Sequence, residues 1–276
     1  MNARGTGGNR PDDGMADVPA RFVETAMQLA AAAREITLAH FRTALPVEAK
    51  SDESPVTRAD REAEAAMRAI IERQFPEHGI LGEEYGSQDA EAEYVWVLDP
   101  IDGTRSFIIG DPEYGTLVAL TRHGRPVLGL IDMPALGERC LGAAGRPTIF
   151  TDARRGAAEA RARPCPGLAQ ATLRVTDPFN YGGDAAAFGR LSTAVGALRF
   201  SGDCFNYGQV ASGFVDLVAE SGLGAYDYSA LVPVIEGAGG LITDWSGRPL
   251  DLASDGRVVA AGDRACHSEA LKLLQE

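Results

Sequence analysis

Asp99 and Asp102 are separated only by Pro100 and Ile101, and Gly103 and Thr104 follow at once. Two carboxylates this close repel each other, so in a partly buried site one takes a proton or a cation neutralises both. Ligands that are all oxygen favour a hard divalent cation, magnesium first. Gly103 lets the backbone come close to a ligand. A helix starting at Thr104 would add free N–H groups, a phosphate site beside the metal. On its own, D-P-x-D is also what a polar turn after a strand looks like.

The element that must position these groups is legible just before them. Residues 94–98, YVWVL, form a continuous β-favouring apolar run of strand length, suited to a strand covered on both faces. Pro100 fixes its own φ and pushes Asp99 into an extended conformation. A buried strand thus delivers two carboxylates, a flexible turn and a hydroxyl at its C-terminal end, where open α/β sheets keep their ligands.

The motif DPIDGT after an apolar strand, GEE at 82–84, and an Asp-led helix ending in EGAGG at 236–240 together resemble the inositol monophosphatase superfamily of magnesium-dependent phosphatases. The resemblance runs from about residue 21 to the C-terminus. Arg105-Ser106-Phe107, Gly202-Asp203-Cys204 and Tyr226-Asp227 are most similar to the histidinol-phosphate phosphatase branch. The resemblance implies an α/β (α+β) fold, a five-layer α-β-α-β-α sandwich of the inositol monophosphatase/fructose bisphosphatase type. It implies two or three Mg2+ ions held by Glu83, Asp99, Asp102, Asp227 and the Ile101 carbonyl. Thr104 and Asp60 are the implied catalytic pair that orients the attacking water, and the Gly103 and Thr104 N–H groups the implied phosphate contacts. Arg105 is counted with the substrate-binding residues, and Glu84 as an acid behind the metal ligands.

Composition bounds the rest. A chain of 276 residues with 45% apolar side chains can fill an enzyme-sized core. A formal charge of −13 disfavours nucleic acid and anionic membrane as partners, so an anionic substrate must be drawn in by bound metal. Cys140, Cys165, Cys204 and Cys266 are widely spaced and fit reduced thiols. The four histidines stand apart, which disfavours zinc or triad catalysis. With no basic-then-apolar leader and no apolar run of spanning length, a cytoplasmic location is expected.

In chain order, residues 1–19 read as a disordered tail, 20–150 as an N-terminal α+β portion with the metal motifs, and 151–276 as a C-terminal α/β portion completing the site. Residues 21–41 read as an amphipathic packing helix, 47–57 as a hairpin or loop over the mouth of a site, carrying Lys50, and Thr57 and Asp60 as the start of a second helix. Runs at 114–121, 127–133 and 138–143 read as an antiparallel meander, while 146–167 gives no clear signal. Further on, 205–211 reads as helix and 215–219 as strand, and Asp227 reads as the N-cap of a helix continuing to Gly239-Gly240.

The function expected is hydrolysis of a small phosphorylated metabolite, histidinol phosphate first, in histidine biosynthesis and by a homodimer. The alternatives are inositol monophosphate, a 3′-phosphonucleotide or a sugar phosphate within the same superfamily. A non-catalytic acidic metal-binding scaffold is the remaining alternative, and it would need neither Thr104 nor Asp60. Histidinol phosphate carries an ammonium group, so its site should offer a carboxylate away from the metals. Glu220 and Asp203 are the two candidates, each also readable as a strand-end or helix-cap carboxylate.

Overall fold

The computed structural model describes residues 18–44, 47–49 and 55–275. The tail up to residue 17 and Lys50 lie outside the described residues. Val18, placed in the tail by the sequence, is buried against the first helix, and its carbonyl accepts from Arg146 at 3.0 Å.

Helix α1 (Ala20–His40) buries Phe22, Ala26, Leu29, Ala30 and Ala33, a stripe at spacings of three and four. Strands β1 (Val47–Ala49) and β2 (Pro55–Thr57) pair antiparallel. Helix α2 (Arg58–Gln74) is entered through a capping box, with Thr57 as N-cap and Asp60 reaching back. Then follow β3 (Gly79–Gly82), β4 (Gly86–Gln88), β5 (Tyr94–Asp102), the short α3 (Thr104–Ile109), β6 (Gly115–Arg122), β7 (Arg125–Met133), β8 (Glu138–Ala143), β9 (Ile149–Asp152) and β10 (Gly156–Glu159). The strands from β3 onward form one sheet in the order β10-β9-β8-β7-β6-β5-β3-β4, antiparallel except where β3 runs alongside β5.

The second half contains β11 (Thr172–Val175), α4 (Ala185–Ala194), β12 (Ala197–Phe200), α5 (Asp203–Ala211), β13 (Leu217–Glu220), α6 (Ala225–Tyr228), α7 (Leu231–Gly237), β14 (Leu241–Asp244), β15 (Val258–Ala261) and α8 (Arg264–Gln275). Its sheet has the order β12-β11-β13-β15-β14, with β11 parallel to both neighbours. Helices α1 and α2 cover the outer face of the large sheet, α5, α6 and α7 fill the space between the sheets, and α4 and α8 cover the outer face of the small sheet. This is the five-layer α-β-α-β-α sandwich.

Both sheets share one inner core. Val97, Leu117 and Ile131 from the first meet Val218, Val258 and Ala260 from the second through Tyr207, Val210, Leu231 and Val234 of the intervening helices. The fit is close. A Cβ on Gly129 would lie 2.0 Å from the Ala230 carbonyl oxygen, and one on Gly142 would lie 2.3 Å from that of Pro233. No described helix is long and apolar enough to cross a membrane.

One stretch without a sequence signal gains structure here, and one expectation needs correction. The stretch 146–167 holds β9 and β10, so the large sheet continues past residue 150 to Glu159. Its signal was weak because β10, Gly-Ala-Ala-Glu, is exposed at all four residues and carries no alternation to read. The single helix expected from Asp227 is two. α6 ends at Tyr228, and α7 restarts with Pro233 in its first turn, where a missing N–H does no harm.

Candidate active site

Residues i and i+3 of a regular strand face opposite sides of a sheet. β5 escapes this through a bulge: Asp99 pairs with Leu117 and Asp102 with Gly115, so the stretch from Asp99 to Asp102 carries one residue more than its partner on β6. The extra residue returns Asp102 to the side that Asp99 uses. Thr116 Oγ1 donates to the Pro100 carbonyl at 2.8 Å within the bulge. Asp227 arrives from α6, not as its N-cap but in the third position, where its Oδ2 accepts the Gly224 N–H at 2.6 Å. One oxygen from each of Asp99, Asp102 and Asp227 then lies within 4.8 Å of the others.

Burial, reinforced by the neighbouring carboxylates, pushes Asp99 well above the usual carboxylate range, Asp102 to about 8 and Asp227 to about 7. Asp99 Oδ1 is buried and meets no hydrogen-bond donor among the described residues. A buried acceptor facing two more carboxylates is an arrangement that a hard divalent cation relieves, and this donor set fits one. Glu83 lies beside the group, with its side chain against Asp99 and its N–H on the Leu98 carbonyl at 3.1 Å.

The Glu83-Glu84 turn is held from α2. Glu64, fully buried, accepts the N–H groups of Glu84 (2.7 Å) and Tyr85 (3.2 Å) and the Arg68 Nε (2.7 Å). Gly82 leaves room for it, since a Cβ there would lie 2.0 Å from Glu64 Oε1.

Asp60, one turn before Glu64 on the same buried face, binds Thr57 through Oδ2, from N–H at 2.8 Å and Oγ1 at 2.6 Å. Its other oxygen, Oδ1, accepts from Thr104 Oγ1 at 3.3 Å, and Thr104 also lies 3.0 Å from the Ile101 carbonyl. Burial raises the pKa of Asp60. Gly103 takes φ +82° as it turns the chain from β5 into α3.

These groups open into a cavity of about 400 Å3 between α3, α5 and the ends of β11 and β13. Its wall includes Glu83, Asp102, Asp177, Asp203, Glu220 and Asp227, and Arg105 is the only cation among the described residues that line it. Arg105 is largely exposed and stands 3.6 Å from Asp177 at the mouth.

A family model described as the inositol monophosphatase family matches residues 19–276. The chain belongs to the inositol monophosphatase family. Over 265 residues it is 46% identical to the chloroplastic bifunctional phosphatase IMPL2 of Arabidopsis thaliana, covering 92% of this chain and 75% of the plant protein. It is 34% identical over 241 residues to a histidinol-phosphatase of Chlorobaculum parvum, covering 86% of this chain and 91% of that one. Among solved structures, an inositol monophosphatase from Zymomonas mobilis matches with a TM-score of 0.84 and 44% identity, over 94% of this chain and 100% of the other. The protein is a phosphatase of a metal-dependent family that acts on small phosphorylated compounds.

Within this inositol monophosphatase fold, the two carboxylates singled out for the substrate differ in availability. Glu220 closes β13, and both its oxygens are engaged: Oε1 by the Thr176 N–H (2.9 Å) and hydroxyl (2.5 Å), Oε2 by the Tyr207 hydroxyl (2.9 Å). Asp203 is the first residue of α5, not a cap, since the N-cap is Gly202. Among the described residues only Ser106, at 3.2 Å, donates to its Oδ2, and that carboxylate lies where a side chain on Gly103 would stand, 2.6 Å from an ideal Cβ. Burial, then Asp102 and Glu220, raises Asp203 to about 8.

Sequence reasoning missed Glu64 and Cys204. The Cys204 N–H donates to Asp102 Oδ2 at 2.5 Å, and a main-chain donor leaves no mark in a sequence. Glu64 did leave one: it follows Asp60 by four residues on a helix whose buried face is otherwise apolar.

Proposed function

We propose that this phosphatase is Mg2+-dependent and that its preferred substrate is histidinol phosphate. The observation that carries the reading is Asp203, a carboxylate beside Gly103 with one oxygen left to a ligand, in a cavity with five other acids and a single cation. A neutral polyol gains little from that excess of negative charge, whereas an ammonium group gains a charge-assisted contact. Similarity to the histidinol-phosphatase of Chlorobaculum parvum supports the same reading.

In this mechanism Glu83, Asp99, Asp102, Asp227 and the Ile101 carbonyl would hold two or three ions. When bound, these supply Lewis-acid activation of a water and neutralise charge on the phosphate and the leaving oxygen. Thr104 Oγ1 would position the attacking water and take its proton while passing its own to Asp60 Oδ1, which burial has made a better base; as the water oxygen bonds to phosphorus, the P–O bond to the alcohol breaks and the departing alkoxide takes a proton from solvent. The Gly103 and Thr104 N–H groups bind phosphate oxygens, and the alcohol portion points to Asp203. Arg105 and Asp177 flank the entrance. No residue is covalently phosphorylated.

A homodimer belongs to the same proposal. β12 is an open sheet edge with Phe200 half-exposed, a surface that a second copy would cover, and light scattering tests it. The four cysteines are free thiols, which suits a cytoplasmic setting.

The deciding experiment is Mg2+-dependent phosphate release from histidinol phosphate, inositol monophosphate, a 3′-phosphonucleotide and fructose bisphosphate. Histidinol phosphate should give the highest kcat/KM. Likeness to the Zymomonas mobilis enzyme makes inositol monophosphate the second reading, and a preference for it would replace the first.

A further inference from the structure

Three successive residues at the entry to α5 have positive φ: Ser201 at +79°, Gly202 at +113° and Asp203 at +42°. Only glycine adopts such backbone without steric cost, and two of the three are not glycine. Conformations of this kind persist where the surroundings over-determine them. The Ser201 N–H donates to the Thr176 carbonyl at 3.0 Å, and the turn's outward carbonyl is held by one side chain. Arg174, on β11, donates through Nη2 to the Ser201 carbonyl (3.2 Å) and to Glu113 Oε2 (3.0 Å), and through Nη1 to Gln209 Oε1 (2.7 Å). Its guanidinium also lies 5.5 Å from the centre of the Phe205 ring. A Cβ on Gly202 would stand 2.3 Å from Asn206 Oδ1 and 2.8 Å from Arg174 Nη2, so the turn is seated between the Asn206 amide and the guanidinium.

The turn ends at the two groups that matter most in the cavity. Its last residue is Asp203, and the next N–H, that of Cys204, is the donor to Asp102 Oδ2. Arg174 itself does not line the cavity.

We infer that Arg174 is a positioning residue: by holding 201–203 in left-handed form it fixes both the carboxylate of Asp102 that faces the ion and the carboxylate of Asp203 that faces the substrate. The first half stands on geometry alone, and the second rests on the substrate reading given above.

The test uses the full chain with Arg174→Met and with Arg174→Lys, which keeps stem and charge but loses the planar fork. The probe is Mg2+ alone, titrated against the melting temperature. The half-saturating concentration should rise about tenfold in both variants, the equivalent of one lost hydrogen bond to a charged group. KM for histidinol phosphate should rise by at least as much, and kcat should fall less. Ser201→Gly, which makes left-handed backbone free of cost at one position, should restore part of both losses in the Arg174→Lys background. Wild-type half-saturation in both variants overturns the inference. So does failure of Ser201→Gly to restore anything, because Arg174 would then act only through general stability. A wild type that prefers inositol phosphate sinks the substrate reading and leaves the Mg2+ result to stand by itself.

Discussion

Thr104 Oγ1 and Asp60 Oδ1 meet at 3.3 Å although one opens α3 and the other lies in the first turn of α2. The shared hydrogen bond makes them one unit. Thr104→Ala and Asp60→Asn should each lower kcat by about 100-fold or more, as loss of a general base does. The double variant should fall little further. Steady-state kinetics on all three proteins checks this, and fully multiplicative losses would separate the two roles.

Asp99 stabilises function at the expense of the fold. It is buried, lacks a donor on Oδ1 among the described residues and faces Glu83, Asp102 and Asp227. Asp99→Asn should therefore raise the metal-free melting temperature, by roughly 4–8 °C if about 2 kcal/mol of repulsion is relieved in a domain of this size. Activity and the Mg2+-induced rise in melting temperature should both be lost. Melting curves with and without Mg2+ decide, and a metal-free protein that melts lower than the wild type would contradict the account.

Glu64 should matter to stability and to the metal together. Glu64→Ala leaves two backbone N–H groups and the Arg68 Nε without their acceptor, at a cost of about 3–5 kcal/mol. Gly82→Ala should do comparable harm, because its methyl would collide with the same carboxylate. Chemical denaturation measures the first effect, and the Mg2+ dependence of activity should show a weakened site in whatever protein remains folded.

Two buried histidines each contribute an acid-sensitive part to stability. His78 is stacked between Phe75 and Tyr94 and accepts the Trp96 Nε1–H on Nδ1 at 3.1 Å, and His267 lies 3.0 Å from Thr243 Oγ1. Burial lowers the pKa of both below the ordinary 6.5. As pH falls from 6.5 toward the folded-state values, these two rings bind more protons in the unfolded chain than in the folded one, so their contribution to stability declines over that interval and not above it, opposite in sign to the contribution of the raised carboxyls of Asp99, Asp102, Asp203 and Asp227. His78→Gln should remove one of the two histidine contributions from this part of the curve of melting temperature against pH. An unchanged slope would assign the acid sensitivity to other groups.

Much of this was legible because local signals and long-range packing agree. The apolar run before Asp99 forms β5, and the Gly103 turn and the start of α2 at Thr57 stand where their residue types put them. What was not legible depends on tertiary contacts. The bulge that puts Asp102 on the side of Asp99 is a matter of register with β6. Asp227 carries the composition of an N-cap, but Gly224 takes that position and Asp227 serves it from inside the helix. Glu220 and Asp203 look equally available as sequence, and only Thr176 and Tyr207, remote in the chain, show that Glu220 is already engaged.

The core shared by the two sheets has a consequence for biosynthesis. A ribosome delivers β3 to β10 complete while α5 and α7, which cover the inner side of that sheet, are still to be made. At about 5–20 residues per second this leaves Val97, Leu117, Ile131 and Met133 without their cover for several seconds. The nascent half-protein is a sticky sheet that holds Glu83, Asp99 and Asp102 but not Asp177, Asp203, Glu220 or Asp227, which complete the cavity wall. Its yield in a cell depends on what shields that face until the second half emerges.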